Sequence, residues 1–542
     1  MSFKLHILAE FTIMKINIYC LLFLSVLLFV CVDLSAQSSK DTLIRFSDLS
    51  FNNEDERLLF EKYLIQKDSS VLIDLFLIPL DRSKRISTKS ATEKINRSVL
   101  YINENFSSAK SNAKKIKLTY DYIHKTFFKV YKLSNSFSEI FISGEYNCVS
   151  ASALYSFIFE KTNIPFSIKE KPTHVYLYAY PNSDKILIET TSPDFGYYKF
   201  SVQFVSKYVE DLYRSKQISK EEYDSENVNN LFNKYFFSDK DISLRQLLGL
   251  QFFNYGIFSS DKKEHKLALD WFKMAYVIYP SKSVFYVMQD ALFEQLTNVK
   301  YNELSDIDNF LLLVRYYECE KNESFRIKVL NEFVKIKDAQ LINANNVDLF
   351  IKSHQLISSE IKDSVLRNDI DFVYWYEMSR VAILSGKNDN IDTYLYNAYF
   401  LNPSNVDLRA LISHRVLNKI SNFSDSKKVM DDLNASTKKY PFVKDNENVL
   451  EVLNNCYLDI AYMSYAQQKI KKGEEYIAIF ESNTKEDSNN SINQRYVESA
   501  YCEACACYYR VGNKVKAKAM LLQGLKYAPD NFALKERLRQ IN

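Results

Sequence analysis

The sequence predicts a compact α+β domain followed by a longer all-α repeat domain, and three observations predict it. Chain breakers are scarce, with 8 glycines and 9 prolines in 542 residues, so helices joined by short connections should dominate. A β-hairpin pattern stands out between residues 173 and 191. Beyond about residue 240 the pattern reads as helical to the end, with three segments on one common spacing.

A chain of 542 residues exceeds what a single hydrophobic core organises, which requires at least two domains. Hydrophobic residues make up 47% and charged residues 25%, a globular composition rather than a disordered one. Lysine and arginine number 70 against 67 aspartates and glutamates, for a net charge of +3. That balance supplies no general attraction to nucleic acid or to an anionic membrane.

The N-terminus reads as a leader. After Met14 come Lys15, an apolar run from about Ile18 to Val32, and then Leu34-Ser35-Ala36-Gln37. A run of about 15 residues is short for a membrane span and suits a signal-peptide core, with small residues at the cleavage position. Residues 1–36 are therefore expected to be a signal peptide, with Met14 as an alternative start. An uncleaved anchor, or a lipid anchor at Cys31, would use the same segment, although Val30 stands where lipidation calls for Gly, Ala or Ser. The expectation is export to the periplasm or the cell exterior, with no membrane span once the leader is removed.

Six cysteines remain beyond the leader: Cys148, Cys319, Cys456, Cys502, Cys505 and Cys507. Their irregular spacing is not a disulfide framework. The Cys502, Cys505 and Cys507 cluster lacks a nearby histidine or second cysteine pair and reads as helix-packing thiols. No metal and no cofactor is expected.

Residues 37–93 read as a segment packing on the first domain, with Val71–Ile78 as helix or strand. From Lys94 to Tyr131, Ile116, Tyr120, Ile123 and Phe127 recur at helical spacing. Asn147 is a good N-cap for a helix running to Glu160. Thr173–Tyr180 alternates like a strand, Lys185–Thr191 is rich in β-branched residues, and Pro181-Asn182-Ser183-Asp184 between them is turn chemistry.

This arrangement puts Cys148 in the first turn of a helix. Exposed N–H groups and the helix dipole there favour the thiolate and can hold an oxyanion. His174 opens the first strand, and a histidine can take and return a proton near neutral pH. If Tyr180 lies opposite Lys185, paired residues sum to 365. His174 then faces Thr191, and Glu189 is its diagonal neighbour on the same face. A carboxylate there would orient the imidazole and stabilise its cation. A slip of one residue would turn Glu189 away. No second oxyanion donor is assigned. His124, His265, His354 and His414 sit in helical patterns and read as surface or packing residues.

In order and spacing, several segments resemble the transglutaminase-like superfamily. They are Lys115–Lys129 (KIKLTYDYIHKTFFK), the Asn147-Cys148 helix, Asn163-Ile164-Pro165-Phe166, His174-Val175-Tyr176-Leu177 and Ile188-Glu189-Thr190-Thr191. The resemblance covers about residues 95–200. It implies a papain-like α+β fold and a Cys–His–acid triad, with Cys148 as nucleophile, His174 as base and Glu189 as the acid. Glutamate replaces the family's aspartate, with Asp194 as the nearby substitute, and Tyr176 replaces a frequent tryptophan. No acidic cluster resembles the calcium sites of animal transglutaminases.

Three later segments resemble tetratricopeptide repeats, with small or aromatic residues at the crossing positions and a terminal proline. These are Gly256, Ala268, Phe272, Ala275 and Pro280; Trp375, Ser379, Leu395, Ala398 and Pro403; and Cys505, Tyr508, Ala517, Leu521, Gly524 and Pro529. The resemblances divide the chain into a transglutaminase-like domain over 94–238 and a tetratricopeptide-like all-α solenoid over 239–542.

The functional expectation is an exported cysteine-dependent amide-bond hydrolase or acyl transferase. Its substrate would be a protein or peptide, and the repeats would bind a protein partner. The alternatives are a non-catalytic interaction scaffold that keeps the fold without turnover, and an amidase directed at peptidoglycan.

Overall fold

The computed structural model describes residues 43–541, except 82–85, 172, 193–195, 199–201, 215–217, 237–238, 387–389, 422–424 and 485–491. The segment expected to be a leader and Asp194 lie outside the described residues. The chain is mostly helical, with a two-stranded and a five-stranded sheet among the described residues, and divides into two compact units, one through Ala291 and one from Leu292. No helix among the described residues is long and apolar enough to cross a membrane.

In the first unit, helices α1 (Glu54–Leu64), α2 (Leu72–Phe76), α3 (Thr88–Phe106) and α4 (Asn112–Phe127) come first. The Val71–Ile78 stretch, readable either way in sequence, is mainly the short helix α2. On α4 the apolar stripe Ile116, Tyr120, Ile123 and Phe127 is buried, as its spacing requires. Next come β1 (Val130–Tyr131), α5 (Phe137–Ile142), β2 (Glu145–Tyr146) and α6 (Cys148–Lys161). Strands β1 and β2 are parallel, pairing Tyr131 with Tyr146.

The remaining strands are β3 (Phe166–Lys171), β4 (His174–Ala179), β5 (Ile186–Ile188), β6 (Tyr197–Tyr198) and β7 (Lys240–Ile242). They form one antiparallel sheet in the order β6-β5-β4-β3-β7. Helices α7 (Val202–Arg214), α8 (Lys220–Ser225) and α9 (Val228–Phe236) lie between β6 and β7 in sequence. Helices α10 (Leu244–Asp261) and α11 (His265–Ile278) follow, and α12 (Lys282–Asn298) runs through the division.

Helix α6 is the centre of this unit. Every residue from Cys148 to Phe159 is buried, so it is apolar on all sides and needs neighbours all round. It packs on the sheet through β4 and β3, and on α3, α5 and α10. The segment before α3 completes the core. Phe76 meets Phe137 and Phe157 at 5.6 Å each, and Phe60 meets Phe252 at 5.7 Å. Gln251 on α10 donates to the Phe76 carbonyl (3.0 Å), and the Tyr255 hydroxyl to that of Ile78 (3.0 Å).

Gly256 marks the crossing of α10 and α11. A Cβ there would stand 2.4 Å from Phe272, whose ring is fully buried. Replacing a mid-helix glycine with alanine ordinarily gains up to about 1 kcal/mol. Overpacking a rigid core costs about 1–3 kcal/mol, and here the packing cost should win. Gly256→Ala is therefore expected to lower the thermal unfolding midpoint; a midpoint raised by the substitution would show that the crossing can relax.

The second unit contains helices α13 (Ile307–Glu320), α14 (Glu323–Lys337), α15 (Val347–Glu360), α16 (Ser364–Leu384), α17 (Ile391–Leu401), α18 (Val406–Ile420), α19 (Ser426–Lys439), α20 (Glu447–Ala466), α21 (Ile470–Asn483), α22 (Gln494–Arg510), α23 (Lys514–Tyr527) and α24 (Phe532–Ile541). Neighbours pack in pairs, notably α16 with α17, α20 with α21 and α22 with α23. Ser379, Leu395, Ala398, Cys505, Ala517 and Leu521 are buried at these crossings. Pro403 and Pro529 follow two residues after α17 and α23 end, where a ring that blocks helix continuation belongs.

Candidate active site

Cys148 is the first residue of α6, and the start of that helix is tightly built. The Asn147 side chain accepts from the Ser150 N–H (2.9 Å), while the Asn147 N–H donates to Ser150 Oγ (2.9 Å). The Ser150 hydroxyl in turn donates to Asn135 Oδ1 (2.8 Å), and Asn147 Nδ2 donates to the Leu133 carbonyl (3.0 Å). These partners fix the direction in which the Cys148 side chain leaves the helix. The first N–H groups of a helix have no partner within it, and those of Cys148 and Val149 are among them.

His174 is the first residue of β4. Across the β4–β5 hairpin, Leu177 pairs with Ile188 and Ala179 with Ile186, the register in which partners sum to 365. The Lys185 N–H donates to the Tyr180 carbonyl (3.0 Å) and closes the turn. Strand β5 is shorter than its β-branched run suggested and stops at Ile188, so Glu189 lies just past the ladder. Its N–H still donates to the Gly196 carbonyl (2.5 Å), continuing the pairing toward β6, and its carbonyl accepts from the Tyr120 hydroxyl of α4 (3.1 Å), which also reaches the Ser192 carbonyl.

The three predicted residues converge. His174 Nε2 lies 2.7 Å from Glu189 Oε2, and the Cys148 thiol is near enough to the ring to act on its charge. Glu189 Oε1 accepts from the Thr191 hydroxyl (2.8 Å) and N–H (3.3 Å). Burial works against a charged imidazole, but the nearby Cys148 and Glu189 outweigh it, pushing the His174 pKa up to about 10. Burial likewise opposes ionisation of Glu189, and the His174 and Thr191 contacts outweigh it, holding that pKa below its ordinary value. Cys148 is 9% exposed, and the side chains of His174 and Glu189 are 27% and 26% exposed, so the group borders solvent.

Tyr176 and Tyr178 are buried. The Tyr176 hydroxyl donates to Asp239, which also lies 3.4 Å from Lys171. Sequence patterning missed Asn135 and Thr191 as partners of the site. Only Thr191 left a signal, through its place opposite His174 in the register.

The other thiols are differently placed. Cys456, Cys502, Cys505 and Cys507 are buried in helical cores, and burial pushes Cys456 and Cys502 up to about 11. His354 contacts Asp371 (2.7 Å) and Ser358 (3.1 Å) through the same ring nitrogen, Nε2. A proton relay needs both nitrogens, so this group reads as packing. His124 stacks on Tyr120 at 4.2 Å, and burial pulls it down to about 4 despite the opposing charge of Asp121.

No family model matches the chain, and no curated protein matches it.

Proposed function

We propose that this chain is a cysteine-dependent amide-bond hydrolase or acyl transferase of the transglutaminase-like, papain-like kind, acting on protein or peptide substrates. The observation that carries the reading is the 2.7 Å contact of His174 Nε2 with Glu189, on a ring whose charge is also acted on by the thiol at the tip of a buried helix. With Nε2 engaged by the carboxylate, Nδ1 is the nitrogen left to serve Cys148. The sulfur attacks the substrate carbonyl, and the imidazolium then protonates the departing amine. Water, activated by the same ring, resolves the thioester. Hydrolysis is favoured over transamidation because water is always available as acceptor.

The leader in the sequence supports export. The paired helices of the second unit support a tetratricopeptide-like solenoid that docks a protein partner. One observation favours the alternative of a non-catalytic scaffold, namely the 9% exposure of Cys148. Against it stands the geometry itself, since a purely structural thiol has no need of an imidazole and a carboxylate aligned behind it.

Iodoacetamide at pH 6 separates the readings. With each cysteine followed by peptide mass mapping, Cys148 is expected to react at least about tenfold faster than the exposed Cys319, because a thiolate and not a thiol is alkylated. Equal rates would leave the scaffold reading in possession.

A further inference from the structure

Attack on a carbonyl places negative charge on its oxygen, and the backbone N–H of Cys148 is one donor for it. Most acyl-transfer sites supply a second. The segment preceding Cys148 offers one residue in position to do so.

Tyr131 ends β1, which lies parallel to β2, and β2 leads directly through Asn147 into Cys148. The pairing sets Tyr131 beside Tyr146, two residues before the nucleophile, with the rings edge-to-face at 5.9 Å. Three further bonds bind this segment to the start of α6. The Lys132 N–H donates to the Tyr146 carbonyl (2.9 Å), Asn147 Nδ2 to that of Leu133 (3.0 Å), and the Ser150 hydroxyl to Asn135 Oδ1 (2.8 Å). Tyr131 is thus held at a constant offset from Cys148 although its ring is 48% exposed. Among the described residues its hydroxyl makes no hydrogen bond, and it lies close enough to Cys148 and Glu189 to feel both charges.

We infer that the Tyr131 hydroxyl is the second oxyanion donor of the Cys148 site, paired with the Cys148 N–H. The inference rests on the catalytic reading given above. The Cys148 sulfur bonds to the carbonyl carbon, and the carbonyl π pair moves onto oxygen, where the N–H and the phenol O–H hold it. Collapse restores the C=O bond and breaks the bond to the leaving group, which departs as an amine with the His174 proton, or as a phenolate. Burial, followed by the nearby Cys148 and Glu189 charges, pushes the Tyr131 pKa up to about 12, so the phenol keeps its proton through neutral and alkaline pH.

Two reagents with different transition states test this on the full chain. p-Nitrophenyl acetate acylates a thiol through a tetrahedral oxyanion, whereas iodoacetamide alkylates it by displacement with no oxyanion. Tyr131→Phe is expected to slow the p-nitrophenol burst about 100-fold, the usual cost of losing one such donor, with Cys148 alkylation unchanged within about twofold. A burst that keeps its wild-type rate, or rates that fall together, would overturn the inference while leaving the nucleophile assignment intact. Wild-type protein showing neither a burst nor selective alkylation of Cys148 would overturn the catalytic reading, and this inference with it.

Discussion

Replacing Cys148 with alanine is expected to abolish acyl transfer, leaving only the background hydrolysis of p-nitrophenyl acetate. No other thiol is expected to substitute. Cys456, Cys502, Cys505 and Cys507 are raised by burial away from the thiolate form. The variant should remain folded, because the cap at the start of α6 is made by Asn147 and Ser150 and not by the cysteine. The loss would therefore report chemistry, and a circular dichroism melt within a few degrees of wild type would establish that.

His174→Gln is expected to have the second largest effect. Glutamine preserves some of the polar contact with Glu189 but can neither hold a positive charge nor carry a proton. The expected loss in acylation rate is about 100- to 10,000-fold, the range for removing a positioned acid–base group. Stability should change with pH in a definite direction. His174 binds its proton more tightly folded, with a pKa of about 10, than unfolded, at 6.5. Its stabilising contribution is therefore complete below pH 6.5 and is lost as the pH rises through about 10. Glu189, held below its ordinary 4.5, contributes in the opposite sense: its share is present above pH 4.5 and is lost as the pH falls below that value. Between pH 6 and pH 10 the wild-type thermal midpoint should thus fall further than that of His174→Gln. Equal slopes would contradict the ion-paired description of this ring.

The parts of the site set by local rules were readable before any coordinates. Asn147 announced a helix start, the Pro181–Asp184 turn set the hairpin register, and the register brought His174 and Glu189 onto one diagonal. What local patterning could not show is how Glu189 is held. Its ladder with β4 ends one residue short, and its backbone is secured by the Gly196 carbonyl and by a tyrosine from α4, distant in sequence. Tyr131 was equally hidden, because a two-residue strand has no periodicity to detect and its pairing with β2 depends on α5 folding between them. Strand β3 was masked by lysines and a glutamate along Phe166–Lys171, which are accommodated through partners such as Asp241, 2.8 Å from Lys169. Burial on both faces of β4 was also invisible, since its tyrosines look amphipathic in sequence and are covered only in the folded unit.

The account rests on a sulfur at the tip of α6 that accepts acyl groups because an imidazole is aligned with it. The most direct measurement is rapid mixing of the full chain with p-nitrophenyl acetate, followed by mass mapping of the quenched protein. The account predicts a burst of p-nitrophenol equal to one acetyl group per chain, carried on Cys148. Acetyl groups scattered over lysines, with Cys148 unmodified and no burst, would contradict it.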